Sequence, residues 1–188
     1  MSLKNRSMYS ILGILSISPA TGYDIKKYSD TVLSGFWNEN FGHIYPTLKK
    51  LSDEGMIETV SGRKEDRKIT YCITEKGRQE LETWLSEETL PQPVRSEFML
   101  KLLFSSSQPK DTIVKKITEY RKRYEKSLER YRRMESELKD GIADVSEERA
   151  FYLKAVLRRG ILSDEAALRW CDETCRGYCT ETGSRCTE

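Results

Sequence analysis

Apolar residues recur at helical spacing from Ser7 to Ser16, where Met8, Ile11, Leu12, Ile14 and Leu15 mark a buried stripe that Ser18-Pro19 ends. Thr21-Gly22 opens a second, short helix carrying Tyr23, Ile25 and Tyr28, and Gly35 breaks the chain before Phe36-Trp37. A third helix is predicted from about Gly42-His43 to Glu54, with Ile44, Leu48 and Leu51 on its inward face and Gly55 as its stop. Pro46 is expected in the first turn, where a missing N–H costs nothing. Two β-rich runs follow, Met56 to Val60 and Lys68 to Ile73, separated by the polar stretch Ser61 to Arg67. They predict a hairpin with a charged tip. Thr74 is a good N-cap for a fourth helix through Trp84 and Leu85, and Pro91 and Pro93 punctuate a boundary.

Beyond the prolines the pattern is wholly helical: Phe98 to Leu100 with Leu102 to Phe104, a long helix from about Asp111, and another from about Glu147. In the long helix Ile113, Ile117, Tyr120, Tyr124, Leu128, Tyr131, Met134 and Leu138 return every three or four residues, the seam of a helix packed on partner helices. At about 1.5 Å per residue it spans on the order of 40 Å. A chain this small has little to cover such a length, so a second protomer is the expected partner. The dimer contacts are placed at Phe98, Leu102, Ile113, Ile117, Tyr120, Tyr124, Leu128 and Tyr131. The predicted fold class is mainly α with a small β-hairpin. Residues 1–88 form a winged helix-turn-helix, residues 94–172 a helical dimerisation domain, and residues 173–188 a flexible, cysteine-rich tail.

With 188 residues and a net charge of +2, the chain is no polycation that binds nucleic acid by bulk attraction. Local charge is what matters. Setting Ile44, Leu48 and Leu51 inward turns His43, Pro46, Lys49, Lys50 and Asp53 outward, with Tyr45 and Thr47 on the flanks. At the hairpin tip Arg63, Lys64, Arg67 and Lys68 oppose Glu65 and Asp66. A helix that enters the major groove and a basic wing that follows the phosphates are the working parts of a winged helix on double-stranded DNA. No apolar run approaches the roughly 18 residues that a membrane-spanning helix needs, and the polar start Ser2-Leu3-Lys4-Asn5-Arg6 is unlike a signal peptide. A soluble, cytoplasmic protein with no membrane partner is therefore expected.

The run Gly42-His43-Ile44-Tyr45-Pro46-Thr47-Leu48-Lys49-Lys50-Leu51, then Glu54-Gly55-Met56-Ile57, resembles the recognition-helix signature of PadR-like transcriptional regulators. Thr21 to Ile25, Phe36-Trp37 and Tyr71 to Gly77 extend the resemblance over residues 7 to 88. In the second half Glu97-Phe98, Lys101 to Phe104, Arg159-Gly160-Ile161 and Trp170 resemble the helical C-terminal domain of virulence-activator-type members. The resemblance implies a homodimer whose recognition helices meet successive major grooves on a pseudo-palindromic operator, most simply as a repressor.

His43 is the only histidine, and the chain has no Gly-rich phosphate loop, no zincin-type histidine pair and no nucleophile elbow. Neither enzyme activity nor a cofactor is expected. Cys171, Cys175 and Cys179 are spaced i, i+4, i+8, with Cys186 able to fold back. A frayed tail, a zinc-binding thiolate cluster and a thiol redox switch are all compatible with that spacing. Trp84, Trp170 and the tyrosines of the long helix read as core packing, or as the lining of a pocket for a small-molecule effector. The rival to DNA binding is a protein-interaction module built on a helical dimer scaffold.

Overall fold

A computed structural model of the chain describes residues 6–33, 36–60, 69–89, 95–140 and 146–180, with side chains through residue 178. The chain divides into two compact units, Met1–Gln92 and Pro93–Glu188.

The first unit runs α1 (Arg6–Leu15), β1 (Ala20–Thr21), α2 (Gly22–Tyr28) with a π-helical turn at Ser29–Leu33, α3 (Phe41–Asp53), β2 (Ile57–Val60), β3 (Thr70–Ile73) and α4 (Glu75–Ser86). This is the element order of a winged helix-turn-helix. Its core is built where the periodicity puts it, from Ile11, Leu12 and Leu15 of α1, Ile25 of α2 and Ile44, Leu48 and Leu51 of α3, none more than 2% exposed. Burying each such aliphatic side chain stabilises the unit by about 1.5–3 kcal/mol. Tyr9 stacks flat on Trp84, ring centroids 4.5 Å apart, which ties α1 to α4. Its hydroxyl donates to Glu80 Oε1 at 2.9 Å, and burial beside that carboxylate pushes the phenol up to about 12.

The strand β1 has no counterpart in the sequence reading. Its two residues pair antiparallel with β3, Ala20 opposite Tyr71 and Thr21 opposite Thr70, so β3 is the central strand of an order β1-β3-β2. Thr21 then serves a second purpose as the N-cap of α2. Its Oγ1 accepts from the Asp24 N–H at 3.2 Å while Asp24 Oδ2 accepts from the Thr21 N–H at 3.0 Å, a reciprocal capping box.

Both ends of α3 are closed by hydrogen bonds that its own sequence supplies. Asn40 Oδ1 accepts from the His43 N–H at 3.0 Å. At the other end the Met56 N–H reaches Leu51 O at 2.9 Å and the Gly55 N–H reaches Ser52 O at 3.0 Å, with Gly55 at φ +68°. That is a Schellman closure, and its left-handed residue is the reason for glycine there. Because α3 begins at Phe41, Pro46 falls in the second turn and not the first, and the Gly42 carbonyl lacks its usual i+4 donor. The helix tolerates this because Gly42 and Pro46 are both exposed to solvent. In α4 the anticipated cap is present, Thr74 Oγ1 accepting from the Gly77 N–H at 3.2 Å. Gly77 is required by packing: a Cβ there would lie 2.2 Å from Met56 O.

The second unit comprises α5 (Glu97–Leu103), α6 (Lys110–Lys139) and α7 (Glu147–Thr180). α6 and α7 pack along two apolar clusters, one around Leu128, Tyr131, Leu157 and Ile161, the other around Ile113, Ile117 and Cys171. Arg121 Nε to Asp172 and Arg132 Nη2 to Glu165, each 3.0 Å, tie the two helices at their margins. At Gly160 a Cβ would come within 2.6 Å of the Tyr131 ring, so glycine lets the helices close on each other. Residues 173–180, expected in a tail, continue α7 as helix.

Candidate nucleic-acid interface

The outward face of α3 carries the residues that the periodicity assigned to it. His43, Tyr45, Lys49 and Lys50 are exposed and Thr47 is half-buried, opposite the buried Ile44, Leu48 and Leu51. Lys50 Nζ lies 3.7 Å from Glu54 Oε1, one turn on. Lys49 has no such ion pair among the described residues. Near the helix start an aromatic surface has formed: Phe41 and Tyr45 stack at 6.0 Å, and Lys26 Nζ of α2 sits 5.9 Å from the Phe41 centroid. Tyr45 also leans over α2, so closely that a Cβ on Gly22 would fall 2.8 Å from its ring. Phe41 and Lys26 were missed from sequence. The signal was the i, i+4 aromatic pair, which periodicity alone assigns to no particular surface.

The four wing residues Arg63, Lys64, Arg67 and Lys68 lie outside the described residues. What is described is the base of the wing, where Ile57 faces Ile73 and Val60 faces Thr70 across β2 and β3.

The residues nominated for dimer contact are occupied within the chain. Ile113, Ile117, Leu128 and Tyr131 are buried in the clusters shared with α7. Phe98 stacks on Tyr120 at 3.9 Å and meets Trp170 edge-on, and Leu102 packs in the same cluster. Tyr124 shares a 2.8 Å hydroxyl contact with Tyr120, and burial pushes its phenol above the ordinary range. The apolar surface left exposed is elsewhere. On α5 and just after it are Met99, Leu100, Leu103 and Phe104, the last two more than 70% exposed, and on α7 are Phe151, Tyr152, Val156 and Leu162.

Cys171 is fully buried and Cys175 half-buried, and burial pushes both thiols up. Such thiols resist becoming the thiolates that metal binding and exchange require. Among the described residues no group of three potential ligands could hold a metal ion, and the side chains of Cys179 and Cys186 lie outside them. Trp84 is spent on the Tyr9 stack and Trp170 on Phe98 and Tyr120. Among the described residues no helix is long and apolar enough to cross a membrane.

Two family models match in tandem: the transcriptional regulator PadR-like family over residues 11–83, and the virulence activator alpha C-terminal family over residues 94–176. The chain is 44% identical to the negative transcriptional regulator PadR of Bacillus subtilis over 102 residues, a match spanning 52% of this chain and 56% of that protein. Among solved structures, a PadR-like transcriptional regulator from Bacillus cereus superimposes with a TM-score of 0.78 at 28% identity, over 93% of this chain and 98% of that one. PadR of B. subtilis in complex with operator DNA superimposes with a TM-score of 0.73 at 30% identity, over 91% of this chain and 98% of that one. PadR has also been crystallised with p-coumaric acid. Tandem family matches and a 30% identical relative covered almost end to end lead to one conclusion: the chain belongs to the transcriptional regulator PadR-like family.

Proposed function

We propose that this protein is a sequence-specific DNA-binding repressor that works in the cytoplasm as a homodimer on a pseudo-palindromic operator, and that it is not an enzyme. The observation that carries the reading is the two-sided α3: a buried Ile44, Leu48, Leu51 face clamps it to the core while His43, Tyr45, Lys49 and Lys50 stand in solvent. Thr47 flanks that surface, and Arg63, Lys64, Arg67 and Lys68 supply phosphate contacts from the wing. PadR bound to operator DNA supports this reading by similarity of fold.

Dimerisation uses the exposed apolar surface of α5 and α7, not the seam of α6. A seven-residue helix with no buried residue, carrying Leu103 and Phe104 in the open, needs a covering surface. A small-molecule effector tunes DNA affinity, as the p-coumaric acid complex of PadR suggests by analogy.

The test is a fluorescence-anisotropy titration against the duplex immediately upstream of the protein's own gene and a scrambled duplex, at two salt concentrations. Salt-sensitive binding that prefers the native duplex supports a regulator. Weak, equal binding to both duplexes with little salt dependence would sink it in favour of a protein-interaction module.

A further inference from the structure

The residue just before the cap of α3 is a glutamate that the DNA-facing surface does not use. Glu39 is only 1% exposed. Its Oε1 accepts two hydrogen bonds, from Ser10 Oγ of α1 at 2.9 Å and from Trp37 Nε1 at 2.6 Å. Its backbone N–H donates to Ser29 Oγ at 3.0 Å, and Ser29 is itself fully buried where α2 passes into its π-turn. Oε2 is buried with no hydrogen-bond partner among the described residues.

Burying a carboxylate is costly, and a buried unpaired oxygen adds to that cost. An apolar residue of similar size would fill the space at lower cost. What a carboxylate adds is direction, because two donors on one oxygen fix the side chain and the N–H fixes the backbone. Three tethers from α1, Trp37 and the end of α2 thus converge on the residue preceding Asn40, whose side chain caps α3.

We propose that Glu39 is a positioning residue for operator recognition: it sets the angle at which α3 leaves the first two helices. The proposal rests on the DNA-binding reading above. A tilt of about 10° at one end of a helix about 20 Å long moves the other end by roughly 3 Å, more than a base-edge hydrogen bond tolerates. Contacts to phosphates through long lysine side chains absorb such a shift more readily. Loss of the latch therefore degrades discrimination between sequences more than it degrades non-specific affinity.

The experiment uses the full-length protein and an operator that it enriches from a pool of random duplexes, with a scrambled duplex as reference. In Glu39→Ala the operator affinity falls about tenfold while the scrambled-duplex affinity changes by less than about twofold. Glu39→Gln, whose amide oxygen still accepts from Ser10 and Trp37, retains the preference to within about twofold. In nitrogen-15 spectra the indole N–H resonance of Trp37, identified by its loss in Trp37→Phe, shifts in Glu39→Ala and holds in Glu39→Gln. If Glu39→Ala does not fold, Ser10→Ala takes its place, with an expected loss of about threefold in discrimination. A shifted indole resonance with an unchanged operator-to-scrambled ratio overturns the positioning role and leaves Glu39 a core group only. Failure of the wild-type protein to enrich any duplex overturns the DNA-binding reading itself, a result distinct from the first.

Discussion

Lys49 and Lys50 stand side by side on the outer face of α3, but their surroundings differ. Lys50 spends part of its field on Glu54, through an exposed pair of the kind worth about 1 kcal/mol or less. Replacing either lysine by alanine should lower DNA affinity and reduce the salt slope by about 1, with the larger loss at Lys49. Sedimentation of both variants should be unchanged. Equal affinity for wild type and the double variant would remove α3 from the interface. Gly160 gives a second prediction at this scale. Gly160→Ala recovers about 1 kcal/mol of helix propensity but drives a methyl group into the Tyr131 ring, a clash worth about 1–3 kcal/mol. A lower melting temperature is expected, with recovery when Tyr131→Leu is combined with it.

Elements differ in how much of themselves the sequence displays. α3 was legible because three large aliphatics at i, i+4 and i+7 leave one orientation open and Gly55 ends it, whereas its start at Phe41 after the Asn40 cap was read one to two residues late. β1 was not: two residues carry no alternation, and Ala20-Thr21 is a strand only because β3 offers a free edge. The seam of α6 was legible as a buried face, yet periodicity says that a face is covered and not which chain covers it. α7 covers it, and that helix is hard to read because apolar residues appear on several of its sides, including the exposed Phe151 and Tyr152. Between the two apolar clusters α7 also places Asp164, buried, with Oδ2 unpaired among the described residues. Burial pushes this carboxyl up, against the opposing pull of Ser127 and Arg130. A raised carboxyl contributes stability that is complete below its unfolded value, about 4, and lost as pH rises through the folded value. Asp164→Asn should therefore melt like wild type near pH 4 and above it at neutral pH. A difference independent of pH would show that Arg130 already compensates the charge.

At the scale of the whole molecule, the proposed dimer is testable at the exposed apolar side chains of the second unit. Changing Leu103 and Phe104 to aspartate should leave each unit folded, since neither side chain is buried, but shift sedimentation equilibrium from dimer to monomer. Operator affinity should drop with it, because two half-sites bound through one frame gain from effective concentration and two independent monomers do not. A variant that stays dimeric would move the interface off this surface. The three-stranded sheet of the first unit has a consequence for how such regulators diversify. With β3 held on both edges, the wing is stitched at its base to the entrance of α2 as well as to the exit of α3. Grip and recognition are thereby separable in the proposed regulator: the segment between Val60 and Thr70 can gain, lose or recharge residues across a lineage, changing how tightly phosphates are held while the frame that presents α3 stays as it is.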